Sequence, residues 1–288
     1  MNPNEWAEKN YELQSQHEAE YKLPMMFWMP DGVDTWLHNR KYEQLHPLFE
    51  TFPGSTWLTI GDGRYGSDAY YLQTHGMNAA ASSISDATLK EAVDRGYIKS
   101  FKVENAENMK SRDGEYDFIL CKESYHHFPR PPLALYEMLR VASKAVILVE
   151  PLEGQPRFFD WLKGTMIKKL IRGDQSALYE PSGNFIYRIS IREIEKMMTA
   201  INIPTIAVKS FNTFYLPKLA SQKYGWTTGT LLTKLAIFLQ NMLSFLHLMN
   251  YGLATVMVFK IPITLELRNE LSKKGFSLID LPKNPYLY

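Results

Sequence analysis

Residues 56–72 read TWLTIGDGRYGSDAYYL, a short apolar run, a glycine-rich turn and the opening of a helical pattern. Trp57 to Ile60 predicts a buried strand, Gly61-Asp62-Gly63-Arg64-Tyr65-Gly66 a turn, and Ala69, Tyr70 and Leu72 the first apolar positions of a helix. Such a turn lets the backbone approach a ligand closely and points helix N-terminal amides at it. Turns that bind dinucleotides, and turns that merely pack a helix onto a strand, share this glycine spacing, so the motif in isolation does not choose between them.

The same unit repeats outward from this stretch. Ala79 to Ile84 predicts a second strand, Asp86 to Ala92 a helix and Ile98 to Val103 a third strand. Tyr116 to Cys121 (YDFILC) and Ala145 to Glu150 (AVILVE) predict two more, separated by a helix over Pro132 to Val141. Strands alternating with helices imply a mostly parallel sheet covered on both faces. The rhythm breaks over residues 155–189, resumes with a helix from Ile191 to Ile201 and a strand near Pro204 to Val208, breaks again, and ends in Leu253 to Phe259 (LATVMVF). Bare loops of that length are uncommon inside a domain, so both breaks are expected to carry helices over the sheet.

With 288 residues, 45% hydrophobic and 22% charged, the chain can bury a core without staples, and disordered or collagen-like classes are out. Lys plus Arg at 32 against Asp plus Glu at 31 gives no global field for nucleic acid. The lone Cys121 suits a reducing compartment. The polar opening MNPNEWAEKNYELQSQHEAEYK lacks the pattern of an export leader, so a cytoplasmic location is expected. Leu231 to Met249 is the most apolar long stretch, but Lys234, Gln240, Asn241, Ser244 and His247 interrupt it, which reads as a soluble or interfacial helix.

Taken together, TWLTIGDGRYGSDAYYL, SSISDATLKEA, ENAENM, YDFILCKESYHHFPRPPLALYEMLRV and AVILVEP resemble the class I S-adenosylmethionine-dependent methyltransferases. The resemblance is to the broad small-molecule group that includes ubiquinone and menaquinone methylases, and it runs in order over residues 51–151. It implies a Rossmann-like, doubly wound, seven-stranded α/β sheet, with helical insertions as a cap and S-adenosylmethionine as cofactor. By this likeness Gly61, Asp62 and Gly63 surround the methionine part, Ser83 meets the ribose, Asn105, Ala106 and Glu107 flank the adenine, and Cys121 and Lys122 lie beside the sulfonium. The corresponding organisation is a cap over 1–50, a cofactor core over 51–151, insertions over 152–189 and 213–250 forming an acceptor lid, later core elements over 190–212 and 251–262, and a tail over 263–288.

Three positions depart from the family pattern. Thr59, Ser83 and Asn105 stand where carboxylates are usual. A charged acceptor makes a hydrogen bond stronger by about 1 kcal/mol or more, so losing two weakens cofactor affinity by roughly tenfold to a hundredfold unless Asp62 or Asp86 compensates. This leaves open a second reading, a protein that keeps the fold and binds a partner without transferring methyl groups. A nicotinamide-dependent oxidoreductase is disfavoured because no acid stands at Ser83 for the ribose.

Methyl transfer to a hydroxyl needs a placed base. In Glu123-Ser124-Tyr125-His126-His127-Phe128-Pro129, His127 is the first candidate and His126 the second, although such a pair also serves to pack a loop. Glu150 ends the fifth strand, where open parallel sheets present side chains to ligands. Lys122 and Glu123 can equally form a solvated edge, and Cys121 reads as a small buried residue. The other histidines show no spacing for a metal site, and none is expected.

Arg157 to Arg172 (RFFDWLKGTMIKKLIR) is amphipathic and basic, suited to capping the sheet, to a phosphorylated acceptor or to an anionic membrane. The apolar stretch after Leu231 leaves lid, dimer face and peripheral membrane contact open. Tyr179, Tyr187 and Arg188 belong to a loop rich in hydrogen-bonding groups that either lines the acceptor pocket or is an ordinary connection. Tyr11, Phe27, Trp28 and Trp36 either close over the cofactor or anchor the cap. The expected acceptor is a small molecule, a glycan precursor or an apolar metabolite, methylated on oxygen.

Overall fold

The computed structural model describes residues 2–20, 31–154, 157–160, 179 and 183–286. Phe27 and Trp28, and the part of the basic amphipathic stretch beyond Asp160, lie outside the described residues. Helices α1 (Pro3–Glu20), α2 (Val33–Tyr42) and α3 (His46–Thr51) precede the first strand. The alternating core follows as β1 (Thr56–Ile60), α4 (Ser67–Thr74), β2 (Asn78–Ser83), α5 (Ala87–Asp94), β3 (Phe101–Val103), β4 (Tyr116–Lys122), α6 (Pro131–Val141) and β5 (Ala142–Pro151). The C-terminal half supplies α7 (Ile191–Ala200), β6 (Thr205–Phe211), α8 (Pro217–Ala220), α9 (Thr228–Phe245), β7 (Leu253–Phe259), α10 (Leu265–Lys273) and β8 (Ser277–Asp280).

The strands form one sheet in the order β3-β2-β1-β4-β5-β7-β6-β8. Neighbours from β3 to β5 are parallel, whereas β7 runs antiparallel to both β5 and β6. The expected α/β doubly wound sheet is present, with eight strands among the described residues instead of seven. The added strand comes from the stretch read as a tail: α10 is capped by the Thr264 hydroxyl, which accepts from Leu267 N–H, and β8 pairs with the outer edge of β6. Ser277–Asp280 is short and only half buried, so no period-2 apolar signal announces it.

Both faces are buried, so side chains along each central strand feed two cores in alternation. Leu58, Ile60, Ile119, Val146 and Leu148 face α6 and α7, against Leu135, Met138, Ile194 and Met198. Trp57, Phe118, Leu120, Ile147 and Val149 face the other way, against Ala69 and Leu72 of α4 and Leu267 and Leu271 of α10. Trp57 is fully buried, stacks on Phe118 at 4.6 Å and donates through Nε1 to Ser55 Oγ at 2.9 Å. An indole buried with its N–H satisfied contributes large apolar area without an orphaned donor.

Gly66 precedes α4 in the left-handed region (φ +69°), and a Cβ there would lie 2.7 Å from Ile98 Cδ1. That glycine serves helix packing. Strand order reverses between β1 and β4, and the loops after these strands diverge there to leave a crevice.

Candidate functional site

A cavity of about 630 Å³ opens at this switch point, within the usual range for small-molecule sites. Its floor is the turn after β1, with Ile60, Gly61, Asp62, Gly63 and Arg64, and the ends of β2 and β4, with Ser83, Lys122 and Glu123. Its roof comes from α1 through Tyr11, Gln14 and His17, and from α2 through Asp34, Leu37, His38 and Lys41. Of the expected site residues, Gly61, Asp62, Gly63, Ser83, Ala106, Lys122, His126 and His127 meet here.

Gly61 turns the chain with φ +71°, and a Cβ on it would lie 2.5 Å from both Cβ and Oγ of Ser124. Ser124 Oγ donates to Gly61 O at 2.9 Å, tying the two crevice loops together. Asp62 is held by its own fold: its carboxylate accepts from Thr59 Oγ1 at 2.8 Å and from the N–H groups of Asp68 and Ala69 at 3.1 and 2.9 Å. Burial and the neighbouring Asp68 push its pKa well up. A carboxylate capping α4 in this way cannot make up for the missing ligand acids, and Asp86 is exposed and outside the cavity wall. Thr59 therefore has a local task, supporting Asp62.

Several expected contacts are placed elsewhere. Asn105 does not line the cavity; its side chain accepts from Glu107 N–H at 2.9 Å within a tight turn. Glu107 points away to Arg130, whose Nε donates to it at 2.6 Å. Cys121 is fully buried behind the strand, with Sγ 3.9 Å from Glu150 Oε1, and lies outside the cavity wall. Tyr179 is half exposed against Phe185, Tyr187 donates to Glu193 Oε1 at 2.6 Å, and Arg188 is exposed, so none of the three lines the cavity. The same loop contributes buried Asn184 instead. Trp36 stacks on Tyr224 at 5.1 Å and anchors the cap without closing over the cavity.

Glu150 also corrects an expectation. It is wholly buried and does not face the cavity. Its Oε1 accepts from Ser124 N–H at 2.8 Å and Tyr125 N–H at 2.9 Å, and its Oε2 lies 2.6 Å from His126 Nδ1. A carboxylate on Nδ1 fixes the tautomer with Nε2 as the ring's acceptor and steadies the imidazolium once protonated. His126, ranked second from the sequence, is thus the oriented histidine. The His127 ring lies tilted beside it, with centroids 4.0 Å apart, and the His127 carbonyl accepts from Gln14 Nε2 at 2.5 Å. Burial, helped by His126, lowers the His127 pKa to about 3, poorly matched to taking a proton at neutral pH.

Lys122 and Glu123 form no solvated edge. The Lys122 ammonium is buried 3.1 Å from Asp68, Tyr42 O–H donates to the same carboxylate at 2.5 Å, and Lys41 Nζ donates to Glu123 at 2.5 Å. Burial opposes charge on Glu123, but Lys41 and Lys122 outweigh it and hold its pKa down to about 2. Glu123 takes φ +53° as the chain leaves β4. His38 bridges the cluster, with Nε2 2.9 Å from Arg64 Nη1 and Nδ1 3.3 Å from Lys122 Nζ.

Asp34, His38 and Lys41 are one helical stripe at i, i+4 and i+7, a spacing visible in the sequence that nothing in the glycine-turn reading singles out. Asp34 is buried, and neither carboxylate oxygen has a hydrogen-bond partner. His38 Nε2 approaches only to 3.8 Å. Burial raises the Asp34 pKa against the pull of Arg64, Lys41 and Lys122. Among the described residues no group of three or more His, Cys, Asp or Glu is arranged to hold a metal ion.

A doubly wound sheet with a ligand crevice after β1 and β4 is the architecture of the class I methyltransferase fold. Residues 58–149 match the family model described as a methyltransferase domain. One curated relative is 2-methyl-6-phytyl-1,4-hydroquinone methyltransferase of Synechocystis sp., 30% identical over 100 residues, which are 34% of this chain. The match spans only 31% of that protein. Among solved structures, a SAM-dependent methyltransferase from Archaeoglobus fulgidus aligns with TM-score 0.51 and 11% identity, covering 78% of this chain and 94% of that one. Another from Thermotoga maritima aligns with TM-score 0.50 and 17% identity, covering 87% and 100%. At these identities the structures establish a shared fold.

Gly61→Ala combines a left-handed backbone with a clash against Ser124, at an expected cost of about 1–3 kcal/mol, read as a lower thermal midpoint; an unchanged midpoint contradicts this packing. Asp34→Asn removes a buried charge whose desolvation Arg64, Lys41 and Lys122 offset only in part, and is expected to raise stability by roughly 1 kcal/mol in ligand-free protein, measured by urea unfolding. With His127 at about 3 when folded and 6.5 as its ordinary value, the unfolded chain takes up a proton first. Stability therefore declines as pH falls from about 6.5 toward 3, with buried His38 adding to the slope. His127→Phe is expected to flatten that part of a melting-temperature profile; parallel profiles for parent and variant contradict it.

Proposed function

We propose that the chain transfers a methyl group from S-adenosylmethionine to a hydroxyl of a small acceptor. The observation that carries this reading is the Glu150–His126 pair, 2.6 Å apart, delivering an oriented imidazole to the wall of an open crevice after β1 and β4. The glycine turn, Ser83 and Ala106 line the part of the crevice suited to an adenosyl group, whose size the cavity accommodates. The cofactor would supply a methyl carbon already activated on a sulfonium.

The chain's own task is then orientation and proton removal. Holding a nucleophile on line can supply about 7–11 kcal/mol in favourable cases. A placed base adds roughly a hundredfold to ten-thousandfold. His126 takes the hydroxyl proton on Nε2, and Glu150, as a positioning residue, stabilises the imidazolium that forms. Asp34 offers a buried acceptor for a donor group on the bound ligand. Leu37, Ile60 and Phe128 give the wall apolar patches, which supports an apolar hydroxylated metabolite over a glycan precursor as acceptor. The named Synechocystis relative acts on a phytyl-substituted hydroquinone, which is in keeping with that choice.

A second reading, a binding protein without transfer, draws on Thr59, Ser83 and Asn105 in place of acids and on Asp62 being committed to α4. Calorimetric titration with S-adenosylhomocysteine and a methyl-transfer assay on a panel of phenolic and quinol acceptors separate the two. We expect heat of binding, turnover, and a fall of roughly a hundredfold or more in turnover for His126→Ala with cofactor affinity nearly kept. Binding without turnover across the panel favours the second reading; equal turnover in His126→Ala removes the base assignment.

A further inference from the structure

Helix α9 is inside out for a helix bathed in water. Its protein-facing side carries Thr230, Thr233, Asn241 and Ser244 around one buried apolar residue, Ile237, which packs on Val33 and Leu37, and Asn212 Nδ2 donates to Asn241 Oδ1 and Ser244 Oγ at 3.0 Å each. Its outward side repeats Leu231, Leu235, Phe238, Met242 and Phe245 at helical spacing, with exposures of 52, 52, 62, 42 and 78%. A surface helix normally shows the opposite distribution, and a contiguous apolar face of this kind marks a contact with something apolar. No described helix is long and apolar enough to cross a membrane.

Charge selects the occupant. No Asp or Glu occurs between Glu195 and Glu266, whereas the excursion that holds α9 carries Lys218, Lys223 and, on the helix itself, Lys234. Lys234 lies over the Tyr224 ring at 4.8 Å, and Lys223 pairs with Asp31 at 3.3 Å on the surface. Trp226, 96% exposed, sits in the turn leading into the helix, an aromatic of the kind that settles at headgroup depth. A two-fold pairing of the face with a second copy would set these lysines near their own images with no carboxylate on the helix to meet them. Phosphate headgroups meet them directly.

We infer that the outward face of α9 docks flat on an anionic lipid surface, with Leu231, Leu235, Phe238, Met242 and Phe245 entering the acyl boundary. The connection from β6 toward this helix lines the cavity with Thr213 and Tyr215, which ties the docking face to the crevice. The inference concerns lipid binding and stands apart from methyl transfer.

The test is flotation of the full chain with vesicles of phosphatidylcholine alone or with phosphatidylglycerol added. Binding to the anionic vesicles is expected, weakening as salt is raised, and roughly tenfold or more weaker for Phe238→Asn with Phe245→Asn. Lys218→Glu, at an exposed position, should independently reduce binding and flatten the salt dependence. Circular dichroism melts of each variant confirm that folding is kept. Failure of the parent to bind anionic vesicles, or binding that none of these substitutions reduces, overturns the inference. So does a concentration-dependent dimer in sedimentation that the phenylalanine pair dissolves, which would assign the face to a second copy.

Discussion

One buried carboxylate organises the crevice. Glu150, with no exposure to solvent, gathers two backbone N–H groups and the His126 ring from the loop after β4. A buried charge survives only when its lone pairs are met, so that loop is drawn onto the end of β5. Ser124 is thereby brought against Gly61, and the two turns flanking the switch point take a fixed spacing. Loss of this acceptor would orphan three donors together and release the wall carrying both histidines.

A second cluster holds the roof. Lys122 with Asp68, and Lys41 with Glu123, join α2, α4 and the end of β4 through charges mostly removed from water. Such pairs add little net stability, because desolvation consumes the Coulombic gain. Their effect here is directional: an ammonium and a carboxylate that must stay paired fix how α2 lies over the crevice. Asp34, on the same helix, is left without a hydrogen-bond partner. An unmet polar group beside a cavity is the pattern of a protein that gives up stability where a ligand will bind.

The apolar face of α9 and the crevice are linked by the segment after β6, and this gives the C-terminal half two tasks. Its strands extend the sheet, while in the excursion between β6 and β7 helix α9 turns Asn241 and Ser244 inward to Asn212 and, apart from buried Ile237, sets most of its large apolar side chains outward. The excursion contributes little to the two large cores, which are built from strands, α4, α6, α7 and α10.

Where local pattern and burial coincide, the sequence sufficed. Apolar strands of four to six residues bounded by glycine turns, and helices with one apolar face, follow from periods of 2 and 3.6; hence the α/β order, the crevice turn at Gly61 to Gly63 and the arrival of Ser83, His126 and His127 at one end of the sheet were legible. The direction of a side chain at a strand end was not. Cys121 and Lys122 are adjacent, yet one is sealed behind the sheet and the other faces the cavity, because successive residues on a strand point to opposite faces. Glu150 as a carboxylate inside the fold and the stripe of Asp34, His38 and Lys41 above the crevice depend on partners up to 84 positions away, as in the contact of Lys122 with His38. Such pairings leave no periodic trace. The sequence by itself determined which elements form and in what order, and only tertiary packing decided which polar groups face one another and which face a ligand.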